Sequence, residues 1–176
     1  TKGRSSRDVL REMNDLIGPR IVIEAGARSV ITPEATVTEE FSGLAVGTGL
    51  AALLRPLGLV MVPRHETGST RLIVRSVQDA QEHWPVGWPA TGAPRAHLPK
   101  LYEFLEVEID QTPLGETIEA LQARLEVPVL FDQNGMARQR IDLAEVLVSF
   151  PLKRTFYSRI LKTVLSQAKL KYELRL

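Results

Sequence analysis

The residues able to do chemistry are few and scattered. Histidine occurs at His65, His83 and His97, and none stands at a metal-ligand spacing from another histidine or a paired acid. Cysteine is absent, which removes disulfides, thiolate metal sites and a cysteine nucleophile. The serines carry no nucleophile-elbow motif. Val46-Gly47-Thr48-Gly49 stands where a helix opens, but the rest of a dinucleotide fingerprint is missing, so it reads as a helix-entry turn. Asp132, His65 and Glu39 are the side chains that an unrecognised catalytic site would draw on. No nucleophile, base and orienting group stand in register, so the expectation is a non-enzyme without metal or cofactor.

What remains is charge and two tryptophans. The net charge is +1, so no overall field pulls the chain onto nucleic acid or an anionic surface. The charge is nevertheless segregated: 103–126 holds seven acids and one base, and 153–175 holds seven bases and one acid. The plain explanation is a pair of solvated faces meeting across adjacent elements of one unit. The functional one is a polar unit that docks acid face on basic face. Lys153, Arg154, Arg159 and Lys162 are then the candidate partner-binding cations. Trp84 and Trp88 lie in a proline-rich stretch and read as anchors of that stretch or as a hot spot for a partner.

The elements that must position these residues alternate between two periods. Val9, Leu10, Met13, Leu16 and Ile17 mark a helix over 6–17, stopped by Gly18-Pro19. Strands are expected over 20–24 and 36–44, the latter placing Val37, Glu39 and Phe41 on one face. An unpatterned loop over 25–35 separates them. A helix over 47–57 follows, cut short by Pro56, and then a hairpin of 59–65 and 70–77 around a glycine-containing turn. Residues 78–99 read as an irregular linker. Beyond it, 104–110 alternates apolar and acidic residues as a half-buried strand. Thr112-Pro113 starts a helix with Leu114, Ile118, Leu121 and Leu125 inward. A strand over 128–132, a polar loop over 133–142 and a strand over 144–150 come next. Arg154-Thr155 leads into a helix to about 168, and 170–176 alternates again.

The apolar frame of the first half returns in the second. Leu10 falls on Ile118, Met13 on Leu121, Ile17 on Leu125, Ile21 on Val129, Ile23 on Phe131 and Phe41 on Phe150. The expected class is α+β: two repeats of a small β-α-β-β-α-β unit, each with two helices packed on short sheets. The first unit is 1–77, 78–99 the linker and 100–176 the second unit. In that plan a strand should precede Ser5 and another should follow Leu176.

VEIDQTPLGETIEALQARLEVPVLFD followed by AEVLVSFPLKRTFYSRILKTVLSQAKLKYEL resembles the short N-terminal domain shared by secretins and TonB-dependent receptors. Leu114, Ile118 and Leu121 fill the first helix pattern of that family. Leu147, Ile160, Val164, Leu165, Leu170 and Tyr172 fill the second, as do Leu50, Leu53, Leu54, Gly58, Leu59 and Met61 in the first unit. The loops 25–35 and 133–142 are longer than the family's connections, and the chain holds no pore region or barrel. The resemblance implies tandem domains of this kind in a periplasmic or exported setting. It also implies a non-catalytic protein-binding or scaffolding role, through sheet edges or opposed charged faces, for a protein partner or a second copy. It implies no small-molecule substrate. The alternative of a KH-like nucleic-acid binder lacks the GxxG loop between helices in either unit. No run approaches the roughly 18 apolar residues of a membrane span.

Overall fold

A computed structural model describes residues 1–17, 20–66 and 68–176. It shows a mixed α+β protein of small sheets and several helices, divided into two units, Thr1–Gly87 and Trp88–Leu176. Among the described residues no helix is long and apolar enough to cross a membrane.

In the first unit the helical spacing of Val9, Leu10 and Met13 folds as α1 (Ser6–Ile17), while Leu16, expected on the same face, is 71 % exposed. The stop at Gly18-Pro19 lies outside the described residues. β1 (Ile21–Ile23) runs into α2 (Ala25–Arg28), a short helix inside the stretch expected to be loop. The apolar helix α3 (Val46–Leu54) buries Leu50 and Leu54 completely. Pro56 ends it as expected: Arg55–Leu57 tightens to a 3₁₀ turn, and Gly58 caps it at φ +67°. β2 (Leu59–Glu66) and β3 (Ser69–Ser76) form the expected hairpin, whose Thr67 is outside the described residues. The sheet order is β1-β3-β2, with β1 parallel to β3. Met61 and Val74 close the core from this sheet.

The strand expected over 36–44 does not form. Backbone pairing is limited to a bridge from Thr36 to Ser5 and bonds of 2.8 Å between Val37 and its partners Gly3 and Arg4, after which the Phe41 N–H donates to the Thr1 hydroxyl at 2.8 Å instead of to a strand. Pairing ends because Glu40 turns the chain locally, its carboxylate accepting from the Ser42 amide and hydroxyl at 2.9 and 2.7 Å. The alternation itself holds, with Val37, Glu39 and Phe41 buried.

Residues 78–99 are more ordered than a linker. The Trp84 backbone N–H donates to the Met61 carbonyl at 2.7 Å, within the first unit. Trp88 opens the second unit and exchanges bonds of 2.8 and 2.9 Å with the backbone of Leu176. The short helix α4 (Pro94–His97) and a 3₁₀ turn, Pro99–Tyr102, follow.

The second unit continues with β4 (Phe104–Pro113), α5 (Leu114–Leu125), α6 (Gln133–Gln139), β5 (Leu147–Phe156) and α7 (Tyr157–Gln167). β4 and β5 pair antiparallel as a two-stranded ribbon. β4 runs through Thr112 and Pro113, so proline takes the N-cap place of α5. Residues 128–132 make no strand, because no ladder partner reaches them. The polar stretch 133–142 contains α6, nucleated by Asp132, whose carboxylate accepts from the Gly135 amide at 3.0 Å. A Cβ at Gly135 would lie 2.7 Å from that carboxylate, so the Asn134-Gly135 pair serves a helix start instead of a loop turn. Residues 170–176 make only the Pro89–Arg175 bridge of the Trp88–Leu176 pairing. Leu114, Ile118, Leu121, Leu125, Ile160, Val164 and Leu165 share one core with Val148 and Phe150.

A Cβ at Gly47 would lie 3.1 Å from the Trp84 indole. Alanine there would regain about 0.8–1 kcal/mol of helix propensity, so the larger Gly47→Val is the sharper probe. It should displace the ring and cost about 1–3 kcal/mol through overpacking. The readouts are a red-shifted tryptophan emission in a Trp88→Phe background and a lower urea midpoint. Unchanged values for both would refute the seating of Trp84 on α3. Tyr172, half-buried, has its phenol pushed up by burial and then by Tyr102. A raised folded value means this stability is present below the ordinary tyrosine range, about pH 10, and is lost as pH rises through the folded value. Urea midpoints on both sides of that range should show the alkaline loss shrinking in Tyr172→Phe.

Candidate functional site

The four candidate cations fall on two consecutive elements. Lys153 and Arg154 lie on β5, because the strand continues to Phe156 where a helix was expected from Arg154-Thr155. Arg159 and Lys162 lie on α7, and all four are exposed. Strand alternation on β4 leaves Glu106, Glu108 and Asp110 exposed and turns Leu105, Val107 and Ile109 to the core. The ribbon register then sets Glu106 opposite Arg154. The Arg154 guanidinium also stands 5.5 Å from the Phe104 ring centroid, and Phe104 and Phe156 stack at 4.1 Å. Phe104 is 59 % exposed and Leu152 63 %. The outer face of the ribbon is therefore a band of both charges ending in an aromatic pair.

The charge segregation has a structural basis. The second unit consists of two strand–helix halves, β4–α5 and β5–α7, that can be laid on each other. Phe104 then meets Leu147, Thr112 meets Thr155, Leu121 meets Val164 and Leu125 meets Ala168. Each helix is followed by a left-handed residue, Glu126 at φ 58° and Lys169 at φ 57°. The register agrees with this exchange, since Phe104 pairs with Phe156 and Pro113 with Leu147. At equivalent positions the charges are inverted: Asp110 against Lys153, Glu116 against Arg159, Glu119 against Lys162, Glu126 against Lys169. Glu126 is additionally held by Lys100 at 2.7 Å, and that hydrogen bond lowers its carboxyl below the usual range.

The margins of the ribbon differ. The Ser149 backbone is taken by Gln167, whose Oε1 accepts at 3.1 Å and whose Nε2 donates at 2.9 Å. Pro151 has no N–H to offer. β5 is thus closed to further pairing over this stretch. Among the described residues no strand covers the other side of β4.

The chain matches no protein-family model, no curated protein and no solved structure.

The remaining candidates are distributed over both units. Trp84 is half-buried in the first unit, while Trp88, 55 % exposed, belongs to the second with the four cations. His65 shares a 2.9 Å hydrogen bond with Thr70 at the hairpin end, Glu39 is buried in the 36–41 segment, and Asp132 caps α6 of the other unit. Among the described residues no group of three or more His, Asp or Glu could hold a metal ion. Sequence reading missed Phe104, Phe156 and Glu106 as members of one face. The signal was present in the inverted charges at equal spacing within the two strand–helix halves.

The cross-strand pair is testable. Glu106→Lys should cost about 0.2–1 kcal/mol by setting like charges opposite each other. Adding Arg154→Glu should restore part of that loss, less the contact of Arg154 with Phe104. Chemical denaturation of the four members of this cycle measures the coupling, and a coupling of zero would mean the two charges act independently.

Proposed function

We propose that this chain is a non-catalytic protein-binding module whose second unit recruits a partner through the β4–β5 ribbon. The observation that carries the reading is the uncovered acidic margin of β4, beside a β5 margin closed by Gln167 and Pro151. A partner strand of basic and apolar residues would add to β4, taking backbone bonds from the edge and charge pairing from Glu106, Glu108 and Asp110. Arg159 and Lys162 of α7 offer the opposite sign nearby in sequence, which suits a second copy docking acid face on basic face.

The same reading takes the two units as variants of one β-α-β-β-α-β plan. It is supported by the pairing of residues 3–6 with 35–37 ahead of α1, which parallels β4–β5 ahead of α5. The likeness to the secretin and TonB-receptor N-terminal domain extends the proposal to a periplasmic or exported setting.

Sedimentation velocity of the full chain at low and high salt, with capture from an envelope extract, tests the proposal. Association or capture that weakens with salt and is lost in Glu106→Gln/Glu108→Gln is expected. A monomer that retains no more than this variant does would sink it. Salt-sensitive binding to an RNA pool in its place would favour the KH-like alternative.

A further inference from the structure

The first unit holds a feature separate from the charged ribbon. α1, β1 and α2 enclose a cleft of about 340 Å³. Leu10 and Ile31, each 5 % exposed, lie at its base, and Ile21 and Ile23 form one wall. Three guanidiniums ring it. Arg7 donates to the Ile31 carbonyl at 3.3 Å and Arg28 to the Ile23 carbonyl at 3.1 Å. Each is thus braced on backbone with further N–H donors left over. Among the described residues Arg11 reaches only Asp8, at 3.8 Å, from an exposed position.

The wall is a sheet edge. The Arg20 carbonyl accepts from the Leu72 N–H at 2.9 Å and the Glu24 backbone N–H donates to the Val74 carbonyl at 3.0 Å. By strand alternation the backbone of Val22 also faces β3, while that of Ile21 and Ile23 faces the cleft. Asn14 Oδ1 accepts from the Ile21 N–H at 3.2 Å, and Arg28 occupies the Ile23 carbonyl. Among the described residues the Ile21 carbonyl and the Ile23 N–H are left, spaced to pair with one residue of an added strand.

We propose that this cleft binds an extended peptide segment in which an apolar residue is flanked by carboxylates. The apolar side chain seats on Leu10 and Ile31, the peptide backbone pairs with Ile21 and Ile23, and the carboxylates take bidentate bonds from the guanidiniums. The volume is at the small end for a ligand site and suits one or two side chains. A free apolar acid shares the floor and the guanidiniums but leaves the backbone pair unused, which separates the two sources of the same chemistry. The proposal goes beyond the β4 reading and does not depend on it.

The test titrates labelled acetyl-Glu-Val-Glu-Val-Glu-amide into the full chain by fluorescence anisotropy, with the lysine-for-glutamate peptide and octanoate as comparisons. The acidic peptide should bind saturably and shift the Ile23 amide resonance. Arg11→Glu, at an exposed position that braces no backbone, should weaken binding about tenfold or more. Arg28→Gln should do likewise, with circular dichroism checking its fold. Glu106→Gln/Glu108→Gln should leave this binding unchanged, which separates it from the β4 surface. Equal binding of the lysine peptide, indifference to Arg11→Glu, or displacement by octanoate at equal concentration would each overturn the proposal.

Discussion

A ribbon of two strands is not stable alone, and the second unit is built around covering one of its faces. α5 and α7 do this together. Leu114, Ile118, Ile160 and Val164 are fully or almost fully buried, each worth roughly 1.5–3 kcal/mol of apolar transfer. β4 passes directly into α5 and β5 directly into α7, so each helix is tethered to the strand it covers. The first amides of α5 are satisfied by the Val146 and Leu143 carbonyls at 2.8 and 3.0 Å, which ties the segment before β5 to the start of α5. With the inner face committed to this core, the outer face is left to water, and the charges go there.

That arrangement decides how the opposed charges are used. The ladder sets an acidic strand beside a basic one, with Glu106 opposite Arg154. Surface pairs of this kind add little stability. Their larger effect is on which strand each edge will accept. Other edges of the molecule are closed in part: on β1 by the Asn14 and Arg28 side chains, and on β5 by Gln167 together with Pro151, which lacks an N–H. Such closure is how soluble sheets avoid indiscriminate pairing. The β4 margin has no comparable cover among the described residues, and the β1 edge keeps one backbone pair inside an arginine-ringed cleft.

Much of the fold was legible because its signals are local. The apolar stripes of α1, α3 and α5, the 3₁₀ ending at Pro56 and the β2–β3 hairpin follow from residues a few positions apart. Extended segments were read less well. Residues 36–44, 128–132 and 170–176 carry strand-like alternation, yet none forms a ladder of any length. Alternation reports that one side is buried; a strand also needs a partner backbone, and that partner lies far away in sequence. The helix α6 was hidden for the converse reason. Its polar composition resembles a loop, and it is started by a single capping carboxylate and buried through Met136.

The candidate surfaces divide along the same line. By itself the sequence determined that cysteine chemistry is absent, where the helical stripes run and that acids and bases are segregated along 103–175, since composition and period need no partner. Only the tertiary structure decided that Lys153 and Arg154 stand on a strand opposite the acids, because that depends on the β4–β5 register. Likewise only folding brought Arg7, Arg11 and Arg28 around the β1 edge, because α2 folds back onto the sheet beside α1. Local spacing specifies helices, whereas long-range backbone pairing and packing select which extended segments become strands and which charges share a face.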